Sequence, residues 1–163
     1  MKRKLTSTLI FSAVLAITTA MFFSNCEKAK TSNCDNKGLT CTVDGSSFQS
    51  CAITLIPFPQ HIWLQAQPEN VKSSIHLYMP KSTGTFVFGK PPYSAQYWDQ
   101  SNPLKIISYT TDSTSLGSVT ITKYDSTNKM MSGTFNFNSK QLYPVGNGQK
   151  NVTAGTFTDI KWQ

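Results

Sequence analysis

The sequence predicts an all-β domain, either an antiparallel β-sandwich or an open curved barrel, of about nine or ten strands. Three observations predict it. After Gly38, apolar residues recur at every second position in short runs bounded by turn formers, as in half-buried strands. No window in the same region repeats convincingly at the helical period. Charged residues make up only 14% of the chain, against a norm of about 25%. Ser, Thr, Asn and Gln fill the positions between the apolar ones, a composition typical of exported, strand-rich proteins. With 163 residues there is material for one core of ordinary size and no second.

The chain opens on a basic n-region, Lys2, Arg3 and Lys4, followed by an uncharged run from Leu5 to Asn25 whose apolar centre has the length of a signal h-region. Six hydroxyl residues between Thr6 and Thr19 dilute its hydrophobicity, and Cys26 stands where the run stops, behind Ser24 and Asn25. The run "FSNC" resembles a bacterial lipobox, with Phe23 in the place of the usual Leu and Asn25 in that of a small residue. The resemblance implies that residues 1–25 are a lipoprotein signal peptide and that Cys26 is the lipidation site. The thiol takes a diacylglycerol as a thioether, and cleavage frees its amine for further acylation. The competing reading is an uncleaved signal anchor, since about 20 uncharged residues also span a bilayer. Either reading places the following domain outside the cytoplasm. Residues 26–38 are then the lipidated cysteine and a polar tether without an apolar period, and residues 39–163 the single β domain.

The strands follow in order. "LTCTVDGSSFQSCAITLI" reads as a hairpin with its turn at Asp44 and Gly45, between Val43 and Phe48. "HIWLQAQ", "SIHLYM" and "GTFVFG" come next, then "LKIISYTT", "GSVTITKYD", "MMSGTFNFN" and "NVTAGTFTDIKW". Gly133 and Gly155, inside strands, are expected at bulges.

Few residues offer chemistry. An exported location is oxidising, so a disulfide among Cys34, Cys41 and Cys51 is expected. Cys41 and Cys51, on the two arms of the first hairpin, are the leading pair; Cys34 with Cys51 and Cys34 with Cys41 stay open. His61 and His76 lack ligand spacing, no C-x-x-C pair exists, and neither a metal nor another cofactor is expected. Each histidine is read as an edge or surface residue. The serines include no G-x-S-x-G elbow, and most of the few carboxylates fall at apparent turns, so an enzyme is not expected, a small secreted hydrolase being the outside alternative. The net charge of +7 comes from basic residues scattered singly after Lys30, which excludes the clustered patch that nucleic acid requires.

The stretch "GKPPYSAQYWDQSNP", with Tyr93, Tyr97 and Trp98 among prolines and amides, has the mixture a glycan or peptide site needs. The alternative is that Tyr97 and Trp98 lie in a short strand and close one end of the core, and Trp63 shares that ambiguity.

"CTVDGSSF", "STGTF", "GSVTITKYDSTNKMMSGTFNF" and "NVTAGTFTDIKW" resemble a family of uncharacterised lipoproteins of the Bacteroidota, from Leu39 to Trp162. These are turn and strand signatures, so the resemblance implies a shared fold and carries over no catalytic residue. The expectation is a lipid-anchored cell-envelope protein at the outer membrane, on its periplasmic or surface face. Its domain is expected to serve as a non-catalytic binding or structural module with a glycan or protein partner.

Overall fold

The computed structural model describes Cys34 and residues 38–69 and 71–162. The leader 1–25, the lipidation residue Cys26 and nearly all of the tether 26–38 lie outside the described residues.

All regular elements described are strands. β1 (Gly38–Val43) and β2 (Ser46–Ser50) form a hairpin whose two turn residues, Asp44 and Gly45, hold φ of 49° and 82°. Positive φ at both positions is what a tight type I′ turn demands, so the turn is shorter than "DGSS": Val43 already pairs with Ser46. After Cys51 and Ala52 come β3 (Ile53–Pro57), β4 (His61–Ala66), β5 (Ser73–Pro80) and β6 (Gly84–Phe88). Next are β7 (Ser94–Asp99), β8 (Ile107–Thr110), β9 (Gly117–Asp125), β10 (Met130–Tyr143) and β11 (Gln149–Lys161). Carboxylates hold turns, as their positions predicted. Asp99 accepts from the Ser101 amide at 2.9 Å, Asp112 from that of Thr114 at 2.8 Å, and Asp125 from those of Thr127 and Asn128.

The strands run antiparallel in the order β2-β1-β11-β10-β8-β7-β5-β4-β3. Because direction alternates along this path, β2 and β3 at its two ends run the same way, and only Cys51 and Ala52 separate them. They are one chain segment with a step in it, β2 hydrogen-bonded to β1 and β3 to β4. The sheet therefore curls into a nearly closed barrel. At the step, the Ala52 carbonyl accepts from the Gln67 amide at 3.1 Å and from Ser50 Oγ at 2.9 Å. β10 changes partner along its length: it pairs β9 from Met130 to Phe137, then β8 from Lys140 onward. β6 extends the sheet from β9 and closes the space left beside β7.

Alternation puts Leu64, Leu77, Phe137 and Phe157 inside, where they are fully buried; each contributes about 1.5–3 kcal/mol relative to exposure. Gly133 faces Phe157 and Gly155 faces Phe135 across β10 and β11. A Cβ on Gly133 would stand 2.4 Å from the Thr120 carbonyl and 2.6 Å from the Phe157 ring; one on Gly155 would stand 2.6 Å from the Phe135 ring. The two glycines thus make room for rings. The register shifts adjoin them, and the extra residues lie on β11, where Ala154 and Asp159 take positive φ.

Cys34 is bonded to Cys51, with Cα atoms 5.3 Å apart, and Cys41 is free and buried. This corrects the pairing of Cys41 with Cys51. Cys41 stands between Leu39 and Val43 on the inward side of β1, directly opposite Phe48, and burial pushes its thiol up to about 12.

Replacing Gly133 by Ala overfills this contact and is expected to cost about 1–3 kcal/mol. Urea unfolding should show a lower midpoint with an unchanged m-value.

Candidate functional site

The outward side of β4, β5 and β7 departs from the polar pattern expected of a solvated sheet. There the alternating positions are His61, Trp63 and Gln65 on β4, Ser74, His76 and Tyr78 on β5, and Ser94, Gln96 and Trp98 on β7. Gln65 and Gln96 stand directly either side of His76. The rings form a continuous series. Trp98 stacks on His76 at 4.8 Å between centroids, His76 on Trp63 at 5.6 Å, and Trp63 on Tyr78 at 6.2 Å. His61 adjoins Tyr78, and Phe58 stacks on His61 at 4.7 Å.

His76 is enclosed by two tryptophans and is only 4% exposed, which corrects its reading as an edge or surface residue. Its Nε2 shares a 2.8 Å hydrogen bond with Ser74 Oγ. This pair is no catalytic dyad. Ser74 is fully buried, so its oxygen has no route to a substrate, and the neighbours of His76 are amides rather than the acid that would orient a general base.

Tyr93, Tyr97 and Trp98 do not converge. Trp98 faces outward, with Gln96 Oε1 accepting from its Nε1 at 3.0 Å. Tyr97, the next residue, faces the interior beside Tyr109, and Tyr93 packs edge-on against Phe86 and the core. Lys150 Nζ lies 5.6 Å and 5.7 Å from the centroids of Tyr97 and Tyr109 and bridges to Asp44 at 2.8 Å. The hydrogen bond to Asp44, opposed by desolvation, raises the Lys150 pKa. Desolvation raises the Asp44 pKa, but the hydrogen bonds from Lys150 and the Asn151 amide outweigh it and lower it overall. This cluster ties the β1–β2 turn to β11 and spends its charges internally.

One feature of the outward face is placed for recognition. His76 is the one ring stacked on Trp98 among the described residues, and on the other side of Trp98 lies β8, with Ser108 directly opposite it. Trp63 Nε1 is buried without an acceptor and, like Ser74 Oγ, is out of a ligand's reach. The half-buried Trp98 indole, bordered by a hydroxyl and an amide, suits a neutral polyhydroxylated ligand. The alternation rule alone would have separated Tyr97 from Trp98; that Trp98 and Trp63 flank His76 depends on the register of β4, β5 and β7. Among the described residues no group of His, Cys, Asp and Glu side chains is arranged to hold a metal ion.

The sequence matches a family described as Domain of unknown function (DUF6252) over residues 39–161. No curated protein matches it, and no solved structure does.

Burial pushes the His76 imidazole down from 6.5 to about 4. Between those values the unfolded chain takes up a proton that the folded chain refuses, so this contribution is intact above pH 6.5 and is lost as pH falls toward 4. The loss is about 3 kcal/mol across the window. Chemical denaturation at pH 7 and pH 4.5 should show most of it, and a His76→Gln variant should show a flatter dependence.

Proposed function

The chain belongs to the DUF6252 family, and from that premise we propose that it is a cell-envelope lipoprotein whose barrel is a non-catalytic binding module. Cys26, acylated, holds it to the membrane, with the outer membrane as its place. The observation that carries this reading is the Cys34–Cys51 bond. Such bonds persist in oxidising compartments, and this one fastens the chain to the barrel only eight residues after Cys26, directly behind a leader of signal character. Each buried methylene of an acyl chain contributes about 0.8 kcal/mol, so two or three chains together anchor stably.

The ligand reading is a neutral glycan on the outward face, stacked on Trp98. The row of rings on β4, β5 and β7 favours it. Tyr93 and Tyr97 have no part in this site. Solvent-facing residues on rigid strands are well placed for recognition because little conformational entropy is lost when they bind.

Intact mass of the membrane-extracted protein is expected to show cleavage before Cys26 and added acyl chains. A Cys26→Ser variant should lose labelled palmitate and leave the membrane fraction; retention of both would overturn the anchor. On a glycan array, saturable binding is expected to fall at least tenfold in Trp98→Ala with the fold retained. Trp63→Phe removes a buried unsatisfied donor at small cost in volume, so its stability should be within about 1 kcal/mol of wild type. Glycan binding indifferent to Trp98→Ala would exclude this face.

A further inference from the structure

Beyond Trp98, the outward side of β7 and β8 continues as an ordered lane. Alternation turns Ser94, Gln96 and Trp98 the same way, and the antiparallel register sets Ser108 opposite Trp98 and Thr110 opposite Gln96. The next step falls just past the end of β8. There the Thr111 amide donates to the Ala95 carbonyl at 3.0 Å, and Thr111 Oγ1 accepts from the Ala95 amide at 3.0 Å, which brings Asp112 beside Ser94. Both line a cavity of about 370 Å³ together with Pro91 and Pro92. Tyr93 reaches this cavity from the core side, where its ring packs on Phe86.

The groups along the lane change in order. An indole stands at one end, an amide and hydroxyls in the middle, and a carboxylate at the other end. Gln96 Oε1 is held by Trp98 Nε1, while Gln96 Nε2 and the hydroxyls of Ser94 and Ser108 have no partner among the described residues. These three residues are half-buried, and their unpartnered atoms are open to solvent, unlike Trp63 Nε1. Hydrogen bonds from the Thr114 hydroxyl and amide hold the Asp112 carboxyl below its usual range. Both fall on Oδ1, and Oδ2 accepts none among the described residues.

We propose that this lane is an extended subsite for a linear, neutral oligosaccharide, with one sugar ring stacked on Trp98 and the chain running over Gln96 and Thr110 to Ser94 and Asp112. This rests on the glycan reading of Trp98 and goes beyond it in the length and charge of the ligand. Four residue steps of strand separate Ser94 from Trp98, about 13 Å, more than a single sugar ring covers. Hydroxyl, amide and carboxylate together supply both donors and acceptors for sugar hydroxyls, and on a rigid sheet they lose little entropy on binding. A peptide fits less well. Extended peptides add to a free strand edge, whereas β7 is bonded on its two sides by β5 and β8, and β8 by β7 and β10. Charge favours a neutral chain, because Asp112 is balanced nearby: Lys140 lies opposite Thr110 on β10, and its Nζ donates to Thr114 Oγ1 at 2.6 Å.

The test is an array of neutral linear glycans, each printed as a series from one sugar unit to six, probed with the full membrane-extracted chain and with variants whose folding a thermal melt verifies. Wild-type affinity is expected to rise along a series and to level off once the lane is filled. Asp112→Asn keeps the Oδ1 acceptor that holds Thr114 and removes the charge. It should weaken binding of the long members about tenfold and leave binding of single sugars unchanged. Ser94→Ala should act in the same direction, and added salt should have little effect. Affinity independent of chain length and of both substitutions, with binding still lost in Trp98→Ala, would overturn the lane while the Trp98 site stands. No binding to any glycan would overturn both. Preference for acidic glycans that fades as salt is raised would overturn the neutral ligand, and preference for arrayed peptides would assign the lane to a protein partner instead.

Discussion

The structure depends on one constraint: a sheet of alternating strands has to find hydrogen-bond partners for both of its edges. Here the two edges are the same piece of chain. β2 and β3 run in one direction and are separated by two residues, so β1 satisfies one half of the segment and β4 the other. An edge strand left open would invite pairing with other molecules. The step at Cys51 and Ala52 brings the two ends of the sheet together within the chain and places the disulfide at the seam, while β2, β3 and β6 each keep a single partner strand. Cross-linking over this sequence separation of 17 residues removes loop entropy from the unfolded chain worth about 3 kcal/mol in the chain-entropy model.

Curling the sheet in this way divides the side chains into an inside and an outside, and among the described residues no second layer covers the outside. The inside is filled by aliphatic residues and by the phenylalanines that lie over Gly133 and Gly155. The outside of β4, β5 and β7 would ordinarily be polar, yet it carries a row of rings. The row buries a histidine between two tryptophans, and this holds Trp98 upright while leaving its far side toward the small residues of β8. A rigid sheet holds this row in place.

Much of this is legible in the residues. "GSVTITKYD" contains the whole of β9, Gly117–Asp125, because alternation and flanking turn formers agree there. The aspartates at turns bond as their positions imply. Other features depend on contacts distant in sequence. Cys41 and Cys51 share a hairpin, but the side a cysteine faces decides its partner: Cys41 alternates with Leu39 and Val43 toward the core. His76 looks like a lone polar residue in "SIHLYM", and only the neighbouring strands show that Trp63 and Trp98 enclose it. Gly133 and Gly155 read as bulges, and the register does shift at both; what the sequence does not show is that the two glycines also accommodate rings from the opposite strand. Tyr97 and Trp98 fall on opposite faces because the segment is a strand, as the alternative reading had it, but only Tyr97 packs against the core, and Trp98 does not close its end.

Closure through the β2–β3 segment is most directly tested by native-state hydrogen exchange. If the ring is closed there, the amides of β3 and β4 exchange only with global unfolding, with protection within about tenfold of those in β10 and β11. Exchange in β3 and β4 faster than this by several orders of magnitude, with β10 and β11 still protected, would show that the seam opens on its own and would contradict the closed barrel.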